Sequence, residues 1–370
     1  MKLVVFGLAV SSSWGNGHAT LWRGLIGALA RQGHRVTFFE RDVPWYAETR
    51  DLTALPEGAE LVLYPDWDSV TARAQAEAAG ADAVMVTSFC PDGPAASRLA
   101  WEASPGVTVF YDMDTPVTLA RLESGEAVDF LPPEGLGNFD LVLSYTGGMA
   151  LDLLRSRLGA RRVAPLYGHV DPRVHRPGRP DAAFRGDLSY LGTYAADRQA
   201  ALEALFVEPA RARPERRFVL AGAGYPPDFP WTDNIFFVKH LPPADHPAFF
   251  ASSRLTLNVT RGAMAAMGWC PSGRLFEAAA CGVPVLSDVW EGLGEFFVPG
   301  QEILTARTTA DAVAALERGD ADLARIGRAA RERVLAEHSS DARAAELVAL
   351  LGGSAPEGAR IRGESVSCGE

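Results

Sequence analysis

Pro271-Ser-Gly-Arg-Leu-Phe-Glu-Ala-Ala-Ala-Cys-Gly-Val-Pro-Val-Leu-Ser-Asp288 reads as a loop, a short helix, a tight glycine turn and a buried strand. A helix start presents unpaired backbone N–H groups and the positive end of the helix dipole, which favours an anion such as phosphate. Arg274 adds a planar, two-pronged cation near that end. Glu277 follows one helical turn on, so both side chains can face one cleft. A phosphate calls for the arginine and a ribose diol for a carboxylate acceptor. One helix start therefore offers both parts of a nucleotide site.

Upstream, apolar strand-like runs alternate with helical segments. Lys2–Val10 is a nearly continuous apolar run, as in a parallel strand covered on both faces. Ala19–Gln32 has helical periodicity and stops at Gly33. Further strands are expected at Arg35–Glu40, Glu60–Tyr64, Ala83–Ser88, Thr108–Tyr111 and Leu141–Tyr145, with helices such as Ser69–Ala79 between most of them. Prolines 165, 172, 177 and 180 mark a linker. The alternation then restarts, with strands at Leu188–Leu191, Arg217–Ala221, Ile235–Val238 and Leu255–Val259 and helices at Asp197–Phe206 and Ala248–Ser253. The pattern predicts two doubly wound, Rossmann-like α/β domains facing a shared cleft at the carboxyl ends of their strands. Helices are expected at Ala310–Leu316, Asp322–Ala336 and Asp341–Leu351, followed by a Gly- and Ser-rich tail. The boundaries predicted are 1–168 for an acceptor-side domain, 169–338 for a donor-binding domain, 339–352 for a final helix and 353–370 for the tail.

The 370 residues suit two domains, and 48% hydrophobic with 22% charged residues describes a folded chain. A net charge of −11 argues against nucleic acid and anionic membranes as partners. No apolar run is long enough to span a bilayer. Cys90, Cys270, Cys281 and Cys368 lack metal-ligand spacing and, with no export signal read at the N-terminus, are expected to be reduced thiols in the cytoplasm. A homo-oligomer is compatible with this composition.

Several motifs end on predicted strands. Trp14-Gly-Asn-Gly-His18 joins the first strand to the first helix; Gly15 and Gly17 permit close approach of a ligand, or simply a turn. The third glycine of the dinucleotide fingerprint is replaced by Thr20, which argues against an NAD-dependent dehydrogenase. His18 is a candidate general base, or a residue that caps the helix or orients a substrate. Tyr111-Asp-Met-Asp-Thr-Pro-Val-Thr118 places Asp112, Asp114 and Thr115 at a strand end. The two acids could share a face. They could hold a divalent metal, act as acid and base, or bind acceptor hydroxyls; with no third ligand evident, hydroxyl binding is favoured and no metal is expected. Arg198, after Gly192-Thr-Tyr-Ala-Ala-Asp, and Arg261, after Asn258-Val-Thr, are further phosphate candidates, with solvated surface arginines as the alternative. Trp14 and Trp269 could stack on a base or sugar, or pack at the rim. Tyr167-Gly-His-Val-Asp-Pro172 reads as an interdomain hinge, although His169 could project into the cleft.

Arg274–Asp288 closely resembles the donor-binding segment of GT-B glycosyltransferases. Gly292-Leu-Gly-Glu-Phe-Phe-Val-Pro-Gly300, Arg331-Glu-Arg-Val-Leu-Ala-Glu-His338 and Gly168-His-Val-Asp-Pro172 make it most similar to the CgeB-like, spore maturation protein-type branch. The resemblance is strong from about Tyr190 to His338 and weaker before it. It implies that Glu277 binds the donor ribose, that Arg274 and Ser272 hold the diphosphate, and that Asp288 and Gly292–Gly294 border the sugar. It also implies that the last helix crosses back onto the first domain. Many relatives carry a second glutamate eight positions before the first, where this chain has Trp269.

The expected function is transfer of a sugar from a nucleoside diphosphate sugar, UDP-type favoured over GDP or TDP, to an acceptor, without metal or other cofactor. His18 or Asp112 would be the base in an inverting reaction, and these residues would position the acceptor in a retaining one. Two alternatives stand beside it: a nucleotide-sugar epimerase or hydrolase, motivated by the acid pair, and a non-catalytic nucleotide-sugar-binding protein, motivated by Trp269.

Overall fold

The computed structural model describes residues 1–353. Cys368 and the expected tail, apart from Gly353, lie outside them. The first half forms a seven-stranded sheet from β1 (Lys2–Gly7), β2 (Arg35–Arg41), β3 (Ala59–Tyr64), β4 (Ala83–Thr87), β5 (Val107–Asp112), β6 (Leu141–Ser144) and β7 (Val163–Pro165), in the order β3-β2-β1-β4-β5-β6-β7. The second half forms a six-stranded sheet from β8 (Gly186–Leu191), β9 (Phe218–Gly222), β10 (Ile235–Lys239), β11 (Ser253–Asn258), β12 (Val285–Ser287) and β13 (Leu304–Thr305), in the order β10-β9-β8-β11-β12-β13. Every strand pairing in both sheets is parallel. These are the two expected Rossmann-like α/β units. The strand order reverses between β1 and β4 and again between β8 and β11, and ligands of doubly wound sheets bind at such switch points.

The sheets are held by apolar clusters on both faces. On one face of the first sheet, Leu3 and Val5 pack with Trp22, Leu25 and Leu29 of the Gly17–Arg31 helix. The opposite face packs Val4 and Phe6 against the Trp67–Ala79 and Gly93–Ala103 helices. Continuous apolar strands follow from this two-sided burial.

Three departures from the expected elements have local causes. The first strand stops at Gly7 rather than Val10, because the Val10 and Ser11 amides turn to the buried Glu40 carboxylate, at 2.7 and 2.9 Å. The expected helix at Asp197–Phe206 is broken into a 3₁₀ turn, a short α segment and a π turn at Glu203–Val207. Pro209 follows that turn and has no N–H to donate back into it. Strands β7 and β13 are too short, at three and two residues, to leave a periodic signal.

The last helix, Ser340–Leu351, packs on the first half. Ala344, Leu347, Leu350 and Leu351 join the cluster around Trp22, and a fully buried leucine contributes roughly 1.5–3 kcal/mol. Arg31 pairs with Asp341 at 2.8 Å, and Arg162 donates to the Leu350 carbonyl. The chain thus crosses between the halves twice, and the crossings bond to each other. Val170 N–H donates to the His338 carbonyl and Ser340 N–H to the Val170 carbonyl, at 3.0 and 2.8 Å. His169 lies in this seam, its Nδ1 2.9 Å from Ser340 Oγ, so it serves the hinge and not the cleft. Burial, reinforced by Arg343, lowers its pKa to about 3. Among the described residues, no helix is long and apolar enough to cross a membrane.

Candidate active site

The first wall is built on the loops after β1 and β5. Asn16 caps the Gly17–Arg31 helix, accepting from the His18 amide, and anchors its own side chain on the Ala9 and Ser12 carbonyls. Gly15 supplies the left-handed turn (φ 61°) that brings the loop round. His18 Nε2 then lies 2.6 Å from Asp114 Oδ2, with side-chain exposures of 13% and 22%. His18 Nδ1 is buried without a hydrogen-bond partner among the described residues. If Nε2–H is donated to the carboxylate, Nδ1 carries the free lone pair.

The expected roles of Asp112 and Thr115 need correction. Asp112 is fully buried, and its Oδ1 accepts from the Asp114 amide at 3.0 Å. Burial pushes its pKa up to about 7, against hydrogen bonds that lower it. It therefore shapes the loop that carries Asp114 and does not reach the cleft. The alternation argument fails because β5 ends at Asp112, so strand periodicity no longer relates the two acids. Thr115 is also fully buried, its hydroxyl 2.7 Å from Ser144 Oγ.

The second wall is the Gly273–Ala280 helix. Ser272 caps it, accepting from the Arg274 amide at 3.3 Å. Arg274 Nη1 donates to Glu277 Oε2 at 3.2 Å, which sets the two side chains side by side. Burial alone would raise the Glu277 pKa, but Arg274, with His175 and His246, holds it down at about 2. The carboxylate is charged, and its partners among the described residues are all side chains. Arg198 donates from Nη1 to the Tyr190 hydroxyl at 3.2 Å. Burial raises the Tyr190 pKa, and the charges of Arg198 and Arg274 oppose that rise. The Nε–H groups of Arg198 and Arg274 are both buried without partners among the described residues. Unpaired cationic donors of this kind suit an anion.

Other expected residues fall elsewhere. Arg261 is half-exposed and pairs with Asp197 Oδ2 at 3.3 Å. Asp288 accepts from the Thr260 amide and hydroxyl and from Ser287, tying β12 to β11. Burial raises its pKa, against those same bonds. It braces the rim and has no charged partner of its own. Trp14 stacks on His240 across the cleft, with ring centroids 3.7 Å apart. Trp269 adopts φ 41°, held by a bond from the Gly147 amide to its carbonyl and from its own amide to the Glu291 carbonyl. Its ring lies where a side chain on Gly148 or Gly292 would have to go, within 2.6 Å. Trp269 thus packs both halves together in the space where a carboxylate was expected.

The two walls meet. The Tyr145 hydroxyl donates to the Pro271 carbonyl at 2.7 Å, and the Thr146 hydroxyl to Cys270 Sγ at 3.1 Å, so the first half grips the loop that enters the Gly273–Ala280 helix. Sequence reading missed one cluster outright. His175 Nε2, His246 Nδ1 and Glu277 Oε2 lie within 4.8 Å of one another. The histidines stand 71 residues apart, so no local spacing could have signalled it.

Residues 198–349 match the family described as glycosyl transferase-like. No curated protein sequence matches the chain. Solved structures do match over nearly its whole length. Sucrose-phosphate synthase of Thermosynechococcus elongatus has a TM-score of 0.67 at 14% identity, covering 95% of this chain and 99% of its own. Anabaena HepE, in complex with UDP and glucose, has a TM-score of 0.66 at 13% identity, covering 95% and 100%. AviGT4, a glycosyltransferase of avilamycin A biosynthesis, has a TM-score of 0.60 at 17% identity, covering 96% and 99%. At these identities the likeness is one of fold, and the fold is GT-B.

Proposed function

We propose that this protein is a glycosyltransferase that moves a sugar from a nucleoside diphosphate sugar to an acceptor hydroxyl in the cleft. The observation that carries the reading is the pairing of opposite walls: an imidazole–carboxylate pair on one, and two guanidinium groups beside a charged carboxylate at a helix start on the other. Arg274, Arg198, Ser272 and the first amides of the Gly273–Ala280 helix take the diphosphate. Glu277 takes the ribose hydroxyls. HepE, of the same fold, is seen with UDP and glucose, which supports a UDP-type donor.

Departure of the nucleoside diphosphate concentrates negative charge on the β-phosphate. The two arginines and the helix N-terminus stabilise that charge without reorganising. His18 Nδ1 accepts the proton of the acceptor hydroxyl, and Asp114 holds the ring and stabilises the imidazolium that forms. This assigns an inverting course. No step requires a metal. Arg261 and Asp288 border the site as supports. On the motifs at Gly292–Gly300 and Arg331–His338 we place the chain in the CgeB-like branch, and on the buried, unpaired Cys90, Cys270 and Cys281 in the cytoplasm.

Incubation with UDP-, GDP-, TDP- and ADP-sugars, alone and with a panel of hydroxylated acceptors, tests the reading. Acceptor-dependent release of UDP is expected. Conversion of donor to an epimer or free sugar without an acceptor would show an epimerase or hydrolase instead. Nucleotide binding without turnover over the whole panel would show a binding protein.

A further inference from the structure

We propose that His175, His246 and Glu277 form a binding site for a divalent cation of the zinc class, joining the interdomain linker to the helix that carries Arg274. The donor atoms form a compact triangle. His175 Nε2 lies 3.4 Å from His246 Nδ1 and 4.0 Å from Glu277 Oε2, and His246 Nδ1 lies 3.7 Å from the same oxygen. A point equidistant from all three lies about 2.1 Å from each, which is the bond length of zinc to imidazole nitrogen and carboxylate oxygen. Two imidazoles and one carboxylate are a borderline-soft set that suits zinc and disfavours calcium or magnesium.

The surroundings favour a tightly held ion. Both rings are buried and the Glu277 side chain is 12% exposed, so the three donor atoms face one another largely out of solvent. Two further charges act on the cluster. Arg274 Nη1 bonds the ligating Glu277 oxygen, and Asp171 adds negative charge near His175. Arg274 is the competing cation, and its side chain is 27% exposed, so it can swing into the cleft as an ion enters.

The three ligands come from separate parts of the chain. His175 follows the hinge, His246 begins a short helix, and Glu277 sits in the Gly273–Ala280 helix. An ion here pins the linker to the donor half. The polar contacts of Glu277 among the described residues run through Oε2, which leaves Oε1 for a ribose hydroxyl. That last assignment rests on the donor-site reading above; the ion site itself does not.

Full-length, tag-free protein, stripped with a chelator and dialysed, is titrated with Zn²⁺ alone and assayed for bound metal, without nucleotide. One equivalent of Zn²⁺ is expected, with His175→Gln and His246→Gln each weakening binding at least about tenfold. Arg274→Ala is expected to tighten binding by removing the competing cation. Co²⁺ substitution of the wild-type protein is expected to give the intense visible bands of a low-coordinate site, a readout that needs no variant. Absence of stoichiometric uptake, or uptake unchanged in both histidine variants, would overturn the proposal. Because nucleotide is absent, either result leaves sugar transfer to be judged separately.

Discussion

The two halves share a sheet plan, but the fully buried Glu40 and Asp112 of the first are held differently from Glu277 of the second. In the first half, Glu40 accepts from the Val10 and Ser11 amides and Asp112 from the Asp114 amide. Each of these two carboxylates holds backbone amides of the first half in place. In the second half, Glu277 is buried against Arg274, His175 and His246, with no backbone amide among its bonds. A carboxylate that satisfies backbone is structural, because removing it leaves buried amides unpaired. One surrounded by mobile cations and imidazoles can exchange a partner for a ligand. The difference separates scaffold from site within one chain.

The comparison can be broken or sharpened by mutation. The largest effect is expected at the His18–Asp114 pair, which is partly buried. His18→Ala should lower kcat by about 10²–10⁴-fold with the Kd for UDP unchanged, and Asp114→Asn should follow with a smaller loss. Steady-state kinetics with calorimetric UDP binding checks this. Equal losses of binding and turnover would move His18 out of the catalytic role.

Glu40→Gln should act in the opposite way. It leaves a weaker carboxamide oxygen to accept from the Val10 and Ser11 amides and turns an N–H toward Ser11 Oγ, and should cost about 2 kcal/mol of stability while the Kd for UDP stays within twofold. Denaturant unfolding measures the first quantity and calorimetry the second. A loss of UDP affinity in a folded variant would bring Glu40 into the site.

Asp112→Asn should show a smaller effect with a definite sign. The folded pKa of about 7 lies above the ordinary aspartate value of 3.8, so the folded state binds the proton more tightly than the unfolded chain. Stability from this group is full at acid pH and is lost as pH rises from about 4 to about 7. The variant should therefore melt higher than wild type at pH 8, by on the order of 1–2 kcal/mol, and the gain should vanish by pH 4. Thermal melts across this range check it. A gain independent of pH would mean that Asp112 is not protonated on folding.

The sheets and the donor-side helix were legible because their signals are local. Continuous apolar runs mark β1, β4 and β11, and Pro271-Ser-Gly-Arg274 marks a helix start. The pairing of His18 with Asp114 was half visible: each stood in a marked loop, but only tertiary structure shows which acid meets the ring. Thr115 reads as a cleft residue from its place after a strand, yet it turns inward onto Ser144. Arg261 follows β11 as a phosphate ligand would, but Asp197 of a neighbouring loop claims it. His175 and His246 could not be read at all, because the linker and a later helix bring them to Glu277 only when the second half closes.

The most direct test is calorimetric binding of UDP and of uridine to wild type and Arg274→Ala. The account predicts that UDP weakens about 30–100-fold in the variant while uridine changes less than threefold, since the arginine meets only the diphosphate. Equal weakening of both ligands, or of neither, would contradict a diphosphate site at the start of the Gly273–Ala280 helix.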